Sequence, residues 1–129
     1  MTGRQFEDIC IKKLCKAGYW AHRIHPDESG QQPFDIIAIQ GDRVCAYDAK
    51  VMSSGHRFPL SRIEDNQWNA FQLFDKKTHA YHIGLLILCE EKTILCEEKI
   101  YYMDIEKIRS AMWMKQSSVD VHDLPEWMV

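Results

Sequence analysis

Apolar residues recur at helical spacing across residues 3–17, where Phe6, Cys10, Ile11 and Leu14 form one stripe. Gly18 follows, a residue that commonly closes a helix. The period then shortens. Residues 19–25, 34–39 and 43–52 read as strands, the last two joined by Gln40-Gly41-Asp42, a hairpin connection. The stretch Pro26-Asp-Glu-Ser-Gly-Gln-Gln-Pro33 is rich in turn formers and reads as a loop.

Residues 53–57 form a polar loop, and Ser61-Arg-Ile-Glu64 has the form of a capping box opening a helix that runs to about Lys77. Residues 81–90 are a strongly apolar strand, with 93–96 and 99–103 as shorter ones. Asp104 is placed to cap a last helix running to about Lys115, and the tail with Pro125, Trp127 and Met128 fits no pattern. The predicted order is αβββαβ over residues 3–90, with a small C-terminal addition over 91–129. That is an α/β class with a mixed central sheet flanked by helices, in one domain over residues 1–129.

Composition narrows the setting. Of the 129 residues, 46% are hydrophobic, enough for one core, and no apolar run has the ~20 residues needed to cross a bilayer. The N-terminal residues lack the apolar stretch of a signal peptide, so a cytoplasmic protein without a membrane partner is expected. The five cysteines (Cys10, Cys15, Cys45, Cys89, Cys96) are odd in number and none are spaced C-x-x-C. They read as small reduced hydrophobes rather than a disulfide framework or zinc knuckle.

The chemistry concentrates in Pro33-Phe-Asp35 and Asp48-Ala-Lys50. Folding the hairpin about Gly41 and Asp42 sets Asp35 across from Asp48. Strand alternation projects Asp48 and Lys50 from the same face. Two facing carboxylates repel, and a hard cation with oxygen ligands offsets that repulsion. Glu7 lies within the apolar stripe of the first helix. Gln67 lies within the stripe of the second, made by Ile63, Ala70, Phe71 and Phe74. Buried polar groups need partners, and one shared site would satisfy all five residues.

Charge matters locally. The net charge is −3, with 11 Lys and Arg against 10 Asp and Glu in residues 1–77, and 5 against 9 in residues 78–129. Binding to phosphates therefore requires a local basic patch in the front segment. The pairs His22/His25 and His79/His82 have metal-like spacing but lie near predicted strands and lack a third ligand. No glycine-rich phosphate loop and no G-x-S-x-G are present.

In Gly3-x-x-Phe6-Glu7, Pro33-Phe34-Asp35, Asp48-Ala-Lys50 and Phe58-Pro-Leu-x-x-Ile63-x-x-x-Gln67, the chain resembles RecU-type Holliday-junction resolvases of the PD-(D/E)XK nuclease superfamily. The resemblance covers about residues 3–90. It departs in having Asp48 where the family more often has Glu. The short gap between Asp35 and Asp48 has no room for the stalk-like insertion of bacterial RecU, and in this the chain is more similar to compact archaeal and phage resolvases.

The resemblance implies a restriction-endonuclease-like fold and Mg²⁺-dependent hydrolysis of DNA phosphodiesters, with Mn²⁺ as a substitute. It implies metal binding by Glu7, Asp35, Asp48 and the Ala49 carbonyl. Lys50 and Gln67 would complete the catalytic set, and Ser53, Ser54, Arg57 and Arg62 would hold the DNA backbone. A homodimer acting on four-way junctions in recombination or repair is the expected assembly. The competing readings are a restriction- or repair-type nuclease for another DNA structure, and a nuclease-like fold that only binds DNA or protein.

Overall fold

The structure, a computed structural model, describes residues 1–30, 32–90 and 99–129. The chain begins with helix α1 (Gly3–Lys16), then strands β1 (Trp20–Arg23), β2 (Ile36–Gln40) and β3 (Arg43–Met52). A short strand β4 (Arg57–Pro59) and a 3-10 turn precede helix α2 (Asp65–Lys77). Strands β5 (His82–Cys89) and β6 (Ile100–Asp104), helix α3 (Ile105–Trp113) and strand β7 (Ser118–Asp120) complete it.

Five strands form one sheet in the order β1-β2-β3-β5-β6, and β4 pairs with β7 in a separate two-stranded sheet. Only β3 and β5 run parallel; the other main-sheet neighbours are antiparallel. The mixed sheet flanked by helices is thus the architecture expected. The β2–β3 turn needs Gly41, whose φ is +60°, at its first central position. Asp42 stays at negative φ, the pattern of a type II′ turn.

Two apolar layers sandwich the sheet. On one face Phe6, Cys10 and Leu14 of α1 pack on Ile36, Ala38, Tyr47, Leu86 and Leu88. On the other, Phe71 of α2 and Ile108 and Ala111 of α3 pack on Ala46, Leu85, Ile87 and Met103. Each fully buried Leu, Ile or Phe contributes about 1.5–3 kcal/mol of hydrophobic stabilisation. Cys10 and Cys45 are buried within these layers as small hydrophobes, whereas Cys15 is exposed; Cys96 lies outside the described residues.

Two expectations are corrected, and the tail finds its place. The second helix does not open at Ser61: Leu60–Arg62 is a 3-10 turn and the capping box is Glu64 with Gln67. The apolar run explains the shift. Leu60 and Ile63 are both buried, and an extended Ile63 lets each reach the core before the helix starts. Arg57 begins a strand rather than ending a loop, because Arg57–Pro59 finds a partner in Ser118–Asp120. The tail, which fitted no pattern, joins the outer edge of β6. Trp127 N–H donates to the Ile100 carbonyl, and its buried indole donates to Tyr47 Oη at 3.3 Å. Asp104 caps α3 as predicted, while the expected strand at 93–96 lies outside the described residues. No described helix is long and apolar enough to cross a membrane.

Candidate active site

The register that pairs Ile36 with Tyr47 continues to put Asp35 across from Asp48, just before β2 begins. Asp35 N–H donates to the Tyr47 carbonyl at 3.0 Å, which holds the residue at the strand end. Its Oδ2 accepts from Ala49 N–H at 2.8 Å, and its Oδ1 accepts from the Gln32 amide. On β3, alternation sends Ala46, Asp48 and Met52 to the α2 side of the sheet, and Tyr47 and Ala49 to the α1 side.

Asp48 is fully buried, an expensive place for a carboxylate. Its Oδ1 accepts from Gln67 Nε2 at 3.1 Å, and its Oδ2 lies 3.0 Å from Lys50 Nζ. Yet no hydrogen bond of acceptable geometry reaches Oδ2, leaving an orphaned buried acceptor. The contact to Lys50 is thus a charge pairing, not a donated hydrogen bond. Lys50 Nζ also meets Gln67 Oε1 at 3.3 Å. Gln67 sits in the first turn of α2, where the same Oε1 accepts from the Glu64 N–H.

Burial pushes the Asp35 carboxyl up to about 7, reinforced by the adjacent Asp48 carboxylate; Ala49 N–H and Lys50 oppose the shift. Asp35 therefore holds on to its proton more tightly than a free carboxyl unless a cation takes its place.

Glu7 reaches the site from the other face of the sheet, beside the start of β2. Its Oε1 accepts from Arg23 Nε at 3.0 Å, and Arg23 Nη2 bridges on to Asp8 at 2.5 Å. Glu7, Asp35, Asp48, Ala49, Lys50, Val51, Ser53, Arg62 and Gln67 all line one open cleft of about 610 Å³. Glu7 does not close into a tight trio with the two aspartates; its carboxylate is fixed at the edge of the cleft by its pairing with Arg23.

The remaining predicted residues lie beside this cleft. Ser53, Ser54, Arg57 and Arg62 line an adjoining concavity that shares Val51, Ser53 and Arg62 with the first. Arg62 Nη1 donates to the Val51 carbonyl at 3.0 Å, and Arg57 Nε donates to Ser118 Oγ at 3.0 Å. Arg62 is therefore at the mouth of the cleft, and Arg57 is turned toward β7.

Two neighbours escaped the sequence reading. Arg23 alternates with buried Tyr19 and Ala21, and a charged residue continuing an apolar alternation was a legible signal. Gln32 lies in the turn-rich loop, where nothing in the sequence marks it. The pairs His22/His25 and His79/His82 contribute to no close set of three metal-ligand side chains among the described residues. His82 instead bonds Tyr47 Oη through Nδ1 at 2.6 Å.

The architecture matches that of a solved structure of Hjc, a Holliday junction resolvase from the archaeal hyperthermophile Archaeoglobus fulgidus. The chain shares the fold of that protein. The superposition has a TM-score of 0.57 at 17% sequence identity, and covers 81% of this chain and 73% of the resolvase. At that identity the likeness concerns the fold. No protein-family model matches the chain, and no curated protein matches it.

The donor set of the cleft fits a hard divalent cation. Among the described residues it offers carboxylate oxygens, the orphaned Asp48 Oδ2 among them, and no thiol or imidazole.

Proposed function

We propose that the chain is a Mg²⁺-dependent DNA endonuclease of the PD-(D/E)XK kind, resolving four-way junctions as a homodimer in recombination or repair. The observation that carries this reading is the buried Asp48, with one oxygen lacking a donor, across from Asp35 and beside Lys50. A purely structural carboxylate would have both oxygens hydrogen-bonded. The likeness to Hjc, a Holliday junction resolvase, supports the choice of substrate class.

Asp35 and Asp48 would hold the ion directly, Glu7 directly or through water, and the Ala49 carbonyl as a further ligand; Mn²⁺ would substitute. When bound, a divalent cation supplies positive charge beside the scissile phosphate and acidifies water. Lys50 has three ammonium donors, of which Asp48 and Gln67 face two. The third would orient the attacking water and offset negative charge growing on the phosphate. Gln67 holds both Asp48 and Lys50, so it acts by positioning. Ser53, Ser54, Arg57 and Arg62 would grip the flanking phosphates without reading bases. Two-fold pairing of two such sites would allow symmetric cuts across a junction.

The test is cleavage of synthetic four-way junction, duplex and flap DNA in Mg²⁺ or EDTA, beside Asp35→Asn and Lys50→Ala. Junction cutting that needs Mg²⁺ and is lost in both variants is expected. Activity surviving both substitutions would sink the site assignment. Duplex cut as fast as junctions would remove the resolvase reading and leave the nuclease one. Tight binding without cleavage would favour a binding module, and the mass of the particle in solution checks the dimer.

A further inference from the structure

Outside the cleft, one other cluster has the composition and spacing of a metal site. His56, Asp120 and His122 bring their ligand atoms within 4.8 Å of one another, the one such trio among the described residues. His56 Nδ1 lies 3.0 Å from Asp120 Oδ1, and His122 Nδ1 lies 3.7 Å from the same oxygen. Two ligands about 2.0–2.1 Å from a tetrahedral ion lie ~3.3 Å apart, so both spacings bracket the value a bound ion requires.

Local structure holds the three in place. His56 immediately precedes β4, and the register pairing Arg57 with Asp120 draws it to the end of β7. Val121 N–H donates to the His56 carbonyl at 2.8 Å. Asp120 caps the following 3-10 turn by accepting from His122 N–H at 3.0 Å, which fixes its carboxylate. The two imidazoles stack at 5.0 Å with 15° between their planes, and Tyr101 meets His122 edge-on at 6.2 Å. Arg57, opposite Asp120, gives its Nε to Ser118. Each histidine is about half exposed, so an ion and a completing water can enter.

We propose that His56, Asp120 and His122 form a second metal site, suited to a borderline cation such as Zn²⁺ and separate from the oxygen-lined cleft. Two imidazoles and one carboxylate are a donor set that Zn²⁺ accepts readily and that Mg²⁺ disfavours. The site clips the strand that follows the Ser53–Gly55 loop to the C-terminal segment. Its effect is therefore structural: it steadies the loop bearing Ser53 and Ser54 beside the cleft. The inference rests on this cluster alone and stands whether or not the chain is a nuclease.

The experiment is calorimetric titration of the chelator-stripped chain with Zn²⁺, with Co²⁺ as a spectroscopic probe of ligand geometry. Beyond any ion held in the cleft, one equivalent of Zn²⁺ is expected that persists in Asp48→Asn, with the visible bands of near-tetrahedral Co²⁺. His56→Ala and His122→Ala should each weaken it at least about tenfold or abolish it. Zn²⁺ should raise the melting temperature of the wild type and not of these variants. Unchanged affinity and stoichiometry in both histidine variants would overturn the proposal, as would binding lost only in Asp48→Asn. His56→Gln and His122→Gln, which keep polar side chains, carry the same two readings if the alanine variants fail to fold.

Discussion

Gln67 Nε2 donates a 3.1 Å hydrogen bond to Oδ1 of the fully buried Asp48, while Gln67 Oε1 faces Lys50 Nζ at 3.3 Å. One amide thus fixes an acid and a base through its two ends. Gln67→Leu removes the donor to a buried carboxylate and should cost about 1–3 kcal/mol of stability. Gln67→Glu should cost more, because it sets a second carboxylate against Asp48. Denaturant melts of both variants check this, and cleavage assays should show both slower than wild type at temperatures where they remain folded.

Asp35 makes the metal-free protein pH-sensitive in the direction opposite to that of carboxylates stabilised by ion pairs. Its folded-state pKa, about 7, lies above the unfolded value of ~3.9, so the folded form binds the proton more tightly. Stability from this group therefore falls as pH rises from about 4 to about 7, and the loss is complete above that window. Asp35→Asn should flatten this slope and stabilise the metal-free chain at pH 8, by at most a few kcal/mol. Mg²⁺ should restore stability to the wild type at pH 8 and not to the variant. Melting curves across pH, with EDTA or Mg²⁺, read both effects; a slope that persists in Asp35→Asn would locate it elsewhere.

Arg23 ties Glu7 and Asp8 together at the edge of the cleft. This is a partly exposed network, so Arg23→Ala should lower stability by only about 1 kcal/mol. The larger consequence should be functional. With Glu7 released, the Mg²⁺ concentration for half-maximal cleavage should rise about 10–100-fold, as for other groups that orient metal ligands. The maximal rate at saturating Mg²⁺ should change less. Arg23→Lys should recover only part, since an ammonium lacks the planar fork that spans both acids.

Phosphate gripping has a salt signature. If Arg62 meets a DNA phosphate at the mouth of the cleft, Arg62→Ala should lower the slope of log affinity against log salt by about 0.9. Arg57→Ala should do the same only if Arg57 leaves Ser118 to reach DNA. Binding of catalytically inactive Asp35→Asn protein to junction DNA over a range of salt measures both. An unchanged slope in Arg62→Ala would remove it from the interface.

Gly84 lies opposite Asp104 where β5 meets β6, and a Cβ there would come within 2.0 Å of the Met103 carbonyl oxygen. Backbone, not a flexible side-chain end, is what it would strike. Gly84→Ala should therefore destabilise the sheet by more than the ~1 kcal/mol typical of a point substitution. Thermal melting checks it, with Gly30→Ala as a comparison, because a Cβ at Gly30 meets no neighbour and disturbs only a positive φ.

What the sequence by itself determined is what short-range backbone geometry dictates. Strand alternation sent Asp48 and Lys50 to one face, and a two-residue glycine turn set the register that brings Asp35 across from Asp48. These residues are only 15 positions apart along the chain, and the turn between them leaves little choice of pairing. The helical stripes of Phe6, Cys10 and Leu14, and of Phe71, were legible for the same reason: a fixed period maps directly onto one buried face.

Only the tertiary structure decided that Glu7 and Gln67 approach one cleft from opposite faces of the sheet, near the start of β2. It alone joined Arg23 to Glu7, β4 to β7 some 60 residues away, and Trp127 to Tyr47 across 80. Such pairings depend on which surfaces exclude water together once the chain has closed large loops, and no local period encodes that choice. The start of α2 shows the two levels in conflict. Ser61 and Glu64 match a local capping pattern, but burial of Leu60 and Ile63 moved the helix on to Asp65, and in doing so placed Gln67 within reach of Asp48.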